Sequence, residues 1–127
     1  MSAESNKALI KDYLKALRKD KHPATLDKYI AEEELKQHIA MYEVSLPGYW
    51  IEAEDLVAEG DKVVVRGMIH GVHTGPLLNI LPTGKEVSFA IFITYRIANH
   101  KIVEHWMLVD MLTLMQQIGA LPAPSHA

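Results

Sequence analysis

Residues 86–112 read EVSFAIFITYRIANHKIVEHWMLVDML. Val87, Phe89, Ile91, Ile93 and Tyr95 occupy alternate positions, which predicts a strand over Glu86–Arg96 with one apolar face. Ser88, Ala90, Phe92 and Thr94 form its second face, which carries no charge. Asn99-His100 makes a tight turn, because asparagine tolerates the left-handed backbone region. Lys101–Leu112 then returns as a further strand. A hairpin with so few charges on either face has to be covered on both sides.

Toward the N-terminus the same period continues. Tyr49–Glu59 and Lys62–His73 read as strands joined by a turn at Gly60-Asp61, while Gly75-Pro76 and Pro82–Lys85 punctuate a loop. Before Tyr49 the period is helical. Leu9, Ile10, Tyr13, Leu14 and Leu17 form one stripe, with Ser5 as its cap. Lys19–Pro23 ends that helix, and Pro23 suits the first turn of a second helix through Leu26 and Ile30. A third spans Glu32–Glu43, with Leu35, Ile39 and Tyr42 inward and Glu32-Glu33-Glu34 at its positive end. Leu46-Pro47-Gly48 stops it. After the last strand, Gln116–Gly119 is a short turn, and the tail from Leu121 is expected to fray. Helices followed by four strands define an α+β layout, with helices on one face of a curved antiparallel sheet. A second copy of the chain is expected on the other face, giving a homodimer through the sheet.

The chain has 127 residues, a length suited to one domain over 1–127 with an ordered core at 6–119. Thirteen basic against sixteen acidic residues leave −3, so nucleic acid and anionic membrane are not expected partners. No apolar run is long enough to span a bilayer, and MSAESNKALIK has no hydrophobic signal region, which points to the cytoplasm. The absence of cysteine excludes disulfides, thiol nucleophiles and cysteine-bound zinc.

Seven histidines stand at positions 22, 38, 70, 73, 100, 105 and 126. There is no HExxH, and both His70/His73 and His100/His105 have opposite strand parity, so no metal is expected. Nucleotide-binding and GxSxG motifs are missing, so neither a nucleotide cofactor nor a serine nucleophile of that type is expected. Asp110 lies in Trp106-Met-Leu-Val-Asp110-Met-Leu, where lost hydration would raise its pKa and suit it to acid/base work. Trp106 and Leu108 share its parity and would line the same surface. Equally, Asp110 ends the strand and caps the following turn. Arg66 interrupts a valine run and needs a carboxylate, from Asp110, Glu104 or Glu52, or else lies on the outer sheet face. His38, Tyr13 and Tyr42 sit on helices, where core and pocket roles both remain open, and Trp50 stands near the sheet edge.

Leu35-Lys-Gln-His38-Ile, Ala58–Arg66, Gly71-Val-His73-Thr-Gly75, Pro82-Thr-Gly84-Lys85 and Tyr95-Arg96, then Lys101–Asp110 and Met115–Gly119, follow one another in an order and spacing that resembles the SnoaL-like polyketide cyclase family. These proteins, also called predicted ester cyclases, fall within the nuclear transport factor 2-like superfamily. The resemblance runs from Asn6 to Gly119. It implies a cone, with helices packed on the concave face of a curved mixed sheet around an apolar pocket. It also implies intramolecular aldol condensation of a polyketide ester without metal or organic cofactor. The family's acid/base aspartate maps onto Asp110, with His38 and Arg66 steadying oxygen charge. Tyr13, His73 and Trp106 are the implied substrate contacts, and Trp50 and Leu108 are expected to join them. Met68 stands where related epoxide hydrolases carry an acid, which argues against that reaction. The expected function is acid/base catalysis on a small hydrophobic carbonyl compound. The alternative is a binding protein of the same fold that holds a hydrophobic ligand without turning it over.

Overall fold

A computed structural model describes residues 2–122. His126 and most of the tail expected to fray lie outside the described residues.

Helix α1 (Ala3–Lys19) begins one turn earlier than its apolar stripe suggests. Ser2 caps it, accepting from the Ser5 amide at 3.0 Å, while Ser5 Oγ accepts from the Ser2 amide at 3.0 Å. Ser5 is thus the reciprocal partner in a capping box rather than the cap. Ile10, Tyr13 and Leu17 bury the stripe. Helix α2 (Pro23–Tyr29) has proline in its first turn, and α3 (Glu33–Ser45) buries Leu35, Ile39 and Tyr42.

Strands β1 (Trp50–Glu59), β2 (Lys62–Val72), β3 (Glu86–Ala98) and β4 (Lys101–Val109) pair in sequence order, antiparallel throughout. The mixed character implied by the resemblance is confined to one parallel bridge, Ile30 with Ile102, where the Ala31 amide donates to the Ile102 carbonyl at 2.8 Å. It ties the link between α2 and α3 to the start of β4. Asn99 and His100 both have positive φ, 52° and 61°, the twist that a two-residue hairpin loop requires.

The apolar face of β3 is buried from Val87 to Ile97 as its alternation predicts, against Val63, Val65 and Ile69 of β2 and the stripes of α1 and α3. Two extra residues disturb the ladder. Glu54 is unpaired in β1 and Val103 in β4. A bulge reverses the alternation on its strand. Hence Ile102 faces the core, and beyond the bulge His105, Met107 and Val109 take the inner side instead of Trp106 and Leu108.

Beyond Val109 the chain does not remain extended to Leu112. Asp110 caps a helix, α4 (Met111–Gln117), and the Gln117 amide group closes the free edge of β3 by bonding Ser88 N and O, each at 2.9 Å. The loop 73–85 folds back over α3. Gly75 permits this approach, because a Cβ there would stand 1.7 Å from the Val44 carbonyl oxygen. Among the described residues no helix is long and apolar enough to cross a membrane.

Candidate active site

Between the helices and the inner sheet face lies a narrow cavity of about 20 Å3, room for roughly one water. Its wall is apolar, with Leu17, Leu35, Ile39, Ile91, Ile93 and Met107 among its members. Four tyrosines interrupt it: Tyr13 from α1, Tyr42 from α3, Tyr49 ahead of β1 and Tyr95 from β3. Tyr13 and Tyr95 meet edge to face at 5.7 Å, and Tyr42 tilts against Tyr49 at 5.9 Å. Burial raises the pKa of all four phenols; for Tyr13 the neighbouring Tyr95 and Tyr49 add to it. Each phenol therefore stays neutral, and Tyr13 and Tyr95 are hydrogen-bonded to one another.

The remaining polar member of the wall is His38, on the inner side of α3. Its Nδ1 stands 3.0 Å from His105 Nε2, and His105 Nδ1 is hydrogen-bonded to the Glu32 carboxylate. The His105 side chain is 3% exposed, Glu32 16% and His38 32%. Glu32 sits at the N-cap position of α3, yet its side chain makes no cap bond because it is turned to His105. The chemistry of the three groups orders the protons. An ionised carboxylate only accepts, so His105 Nδ1 carries hydrogen and donates. In a neutral His105 the other nitrogen then accepts, so the proton between the rings belongs to His38 Nδ1. That leaves His38 Nε2 with its lone pair, at the end of a Glu32–His105–His38 chain. The closest carboxylate oxygen to it, Glu34 Oε1, is 4.0 Å away and outside hydrogen-bond reach.

Of the residues singled out in the sequence, Tyr13, Tyr42 and His38 line this cavity. The others do not. Asp110 is exposed, and its carboxylate accepts from the Thr113 hydroxyl at 2.6 Å and the Thr113 amide at 3.0 Å. Those two bonds, the hydroxyl first, lower its pKa, the reverse of the rise expected from its apolar neighbours in sequence. Its alternative reading, a cap at the strand end, is what the structure shows. Arg66 lies on the outer face, paired with Asp55 at 2.6 Å and Glu54 at 3.5 Å, with its pKa raised chiefly by the Asp55 bond. The bulge at Glu54 brings both carboxylates to it, and none of the three partners expected from sequence is used. Trp106 and Leu108 also face outward, displaced there by the Val103 bulge. Trp50 stacks on His70 at 4.6 Å and is capped by Arg18 at 3.6 Å, at the edge of a broad open depression of about 560 Å3. His73 is fully buried, but beneath loop 73–85: its Nδ1 accepts from the Thr83 hydroxyl at 2.9 Å and the Thr83 amide at 3.2 Å. Its Nε2–H has no partner among the described residues.

Glu32 and His105 are the functional candidates that strand parity and motif reading passed over. Among the described residues no cluster of three or more His, Asp or Glu side chains converges to hold a metal ion.

These features define a class, an α+β cone with a hydrogen-bonded Glu–His–His chain at an apolar cavity between its helices and sheet. Solved structures share the fold. AclR from Streptomyces galilaeus, named as a candidate hydroxylase, superposes with a TM-score of 0.84 at 23% identity, over 98% of this chain and 87% of that one. TsrD from Streptomyces laurentii gives 0.79 at 28% identity, over 95% and 99%. IdmH from Streptomyces antibioticus, named as a candidate polyketide cyclase, gives 0.77 at 21%, over 90% and 98%. No curated protein matches the sequence. The sequence profile of the SnoaL-like polyketide cyclases matches residues 4–118, and the chain belongs to that family. Membership supports a cyclase-type activity.

The environment of Asp110 predicts a structural phenotype. Asp110→Ala should lower the melting temperature, and Asp110→Asn, which keeps an acceptor for Thr113, should lower it less. Because the folded-state pKa is depressed, the difference between wild type and Asp110→Ala should be fully present above the ordinary carboxylate range. It should vanish as pH falls through the depressed value. Thermal melts across that acid range check this, and a pH-independent difference would contradict it.

Proposed function

We propose that the protein is an acid/base enzyme acting through its own side chains on a small hydrophobic carbonyl compound, by a polyketide-type cyclisation or an isomerisation. The observation that carries this reading is the Glu32–His105–His38 chain ending at a cavity lined by neutral phenols. His38 Nε2 takes the proton alpha to a carbonyl. The positive charge this leaves on the imidazole is shared with His105 and offset by Glu32. The electron pair moves to the carbonyl oxygen, and the enolate so formed accepts hydrogen bonds from the tyrosine hydroxyls, which are donors already in place in a water-poor site. In a cyclisation the enolate carbon attacks a second carbonyl of the same molecule. The resulting alkoxide recovers the proton from His38 Nε2–H, which restores the starting chain. In an isomerisation the proton returns to a different carbon. Asp110, whose acid/base role the family resemblance implies, stands in solvent and is assigned no proton transfer here.

Exchange of the alpha hydrogens of a small ketone such as cyclohexanone in deuterated water reads the first step alone. Wild type should accelerate exchange over buffer. His38→Gln and His105→Gln should each lose roughly 100-fold or more. Glu32→Gln should lose less, because the imidazoles remain in contact. Exchange unaffected by His38→Gln would contradict the assignment. Binding of the ketone with no accelerated exchange would favour the alternative, a ligand-binding protein.

We also propose that a second copy covers the outer sheet face. Phe92 and Trp106 are about half exposed and Leu108 is 78% exposed, and Phe92 and Leu108 are cross-strand partners. Apolar side chains grouped in this way favour burial against a like surface. Light scattering should give the mass of a dimer for wild type and of a monomer for Leu108→Glu. A monomeric wild type would sink this proposal and leave the cavity chemistry untouched.

A further inference from the structure

The cavity has a size problem. About 20 Å3 admits a water, whereas sites that hold small organic molecules begin near 300 Å3. A second space lies on the far side of Tyr42. It is a groove of about 270 Å3 between α3, loop 73–85 and the start of α4, lined by Met41, Val44, Pro76, Leu77, Leu78 and Met111. Tyr42 is the one residue that lines both spaces. The ring packs against Tyr49 at 5.9 Å, and burial alone, with no hydrogen bond contributing, raises the pKa of its phenol. Taken together, the two spaces approach the size of a ligand site. Beside the Tyr42 phenol the groove has one other hydroxyl, Ser45, and its proton is already donated to the Pro76 carbonyl at 2.8 Å.

The outer lip of the groove is built at a cost. Leu77 and Ile80 close a tight turn through paired backbone bonds of 3.0 and 2.8 Å, and Leu78 within it has φ +53°. That region disfavours a bulky side chain, yet the leucine stands there 76% exposed, beside Met41 and Val44, which are also exposed.

We propose that Tyr42 is the gate of the substrate site, and that the groove beyond it binds the apolar tail of a substrate whose carbonyl head enters the tyrosine-lined cavity. The proposal rests on the acid/base reading above and adds the substrate class: a carbonyl compound carrying an unbranched alkyl or flat aryl extension. A charged or strongly hydrated extension would lose its water in the groove with no partner to replace it. The tail anchors the molecule, and the ring returns over the head to exclude water from the enolate.

Straight-chain methyl ketones from 2-butanone to 2-decanone, titrated into the full chain and followed by amide chemical shifts, test this without turnover. Affinity should rise roughly fourfold per added methylene until the groove is filled, then level off. The longer ketones should move the amides of Val44 and Leu78. Val44→Asp should abolish the gain with chain length, and Leu78→Gly, which removes the lip and relieves the backbone, should reduce it. Tyr42→Leu should speed association several-fold. Affinity independent of chain length, no binding of any ketone, or a gain that survives Val44→Asp would overturn the groove. Unchanged association in Tyr42→Leu would overturn the gate. Chain-length dependence together with failed alpha-hydrogen exchange would retain the groove and defeat the catalytic reading, so the two fail separately.

Discussion

Val103 has no partner across the β3–β4 ladder, and the side of the sheet on which every later residue of β4 lies follows from that single extra residue. With strict alternation from the buried Ile102, the inner positions would be Glu104, Trp106, Leu108 and Asp110. The bulge exchanges them for His105, Met107 and Val109. One unpaired valine thus decides that an imidazole reaches the space under the helices while a carboxylate is left in water. The parallel bridge from Ile30 to Ile102 lies one residue before the bulge and fixes the segment that carries Glu32. The same few residues place both the acceptor and the ring that it orients.

Glu32 and Asp110 show what each carboxylate does with its surroundings. Asp110 is hydrated and satisfied by Thr113, whose two bonds lower its pKa. Glu32 is mostly covered and spends its acceptor on His105, which in turn is nearly sealed from solvent. A charge in that position acts through the ring it orients and needs no proton of its own. Across the cavity, burial keeps four phenols neutral, so donors and base are present together without a charged group in the apolar wall. Movement of Tyr42 supplies what this arrangement lacks, which is room.

Much of the fold was legible in the sequence, because regular periods leave regular traces. The alternation from Val87 to Tyr95, the stripe at Ile10, Tyr13 and Leu17, and the Asn99-His100 turn stand where the residues place them. Family resemblance supplied the cone. The inward side of Tyr13 and Tyr42 was legible because helix faces follow from spacing alone, while the pocket roles of Tyr13 and His38 came from the family resemblance. What failed depended on irregularity or on distance along the chain. Valine at 103 carries no sign of a bulge, so the parity of Trp106, Leu108 and Asp110 was readable and their side was not. The apolar neighbours of Asp110 in sequence do not surround it in space, since Thr113 turns back to bond it. His105 meets Glu32 across 73 residues and His38 across 67, and no local pattern announces either contact.

The order of protons in the Glu32–His105–His38 chain decides whether His38 Nε2 is free to take a proton, and imidazole nitrogen-15 shifts of the selectively labelled protein read that order directly. With both rings neutral, His105 should show a protonated Nδ1 and an accepting Nε2, and His38 should be the Nδ1–H tautomer with a bare Nε2. A His38 that carries its proton on Nε2, or a neutral His105 that carries its proton on Nε2, would contradict this order.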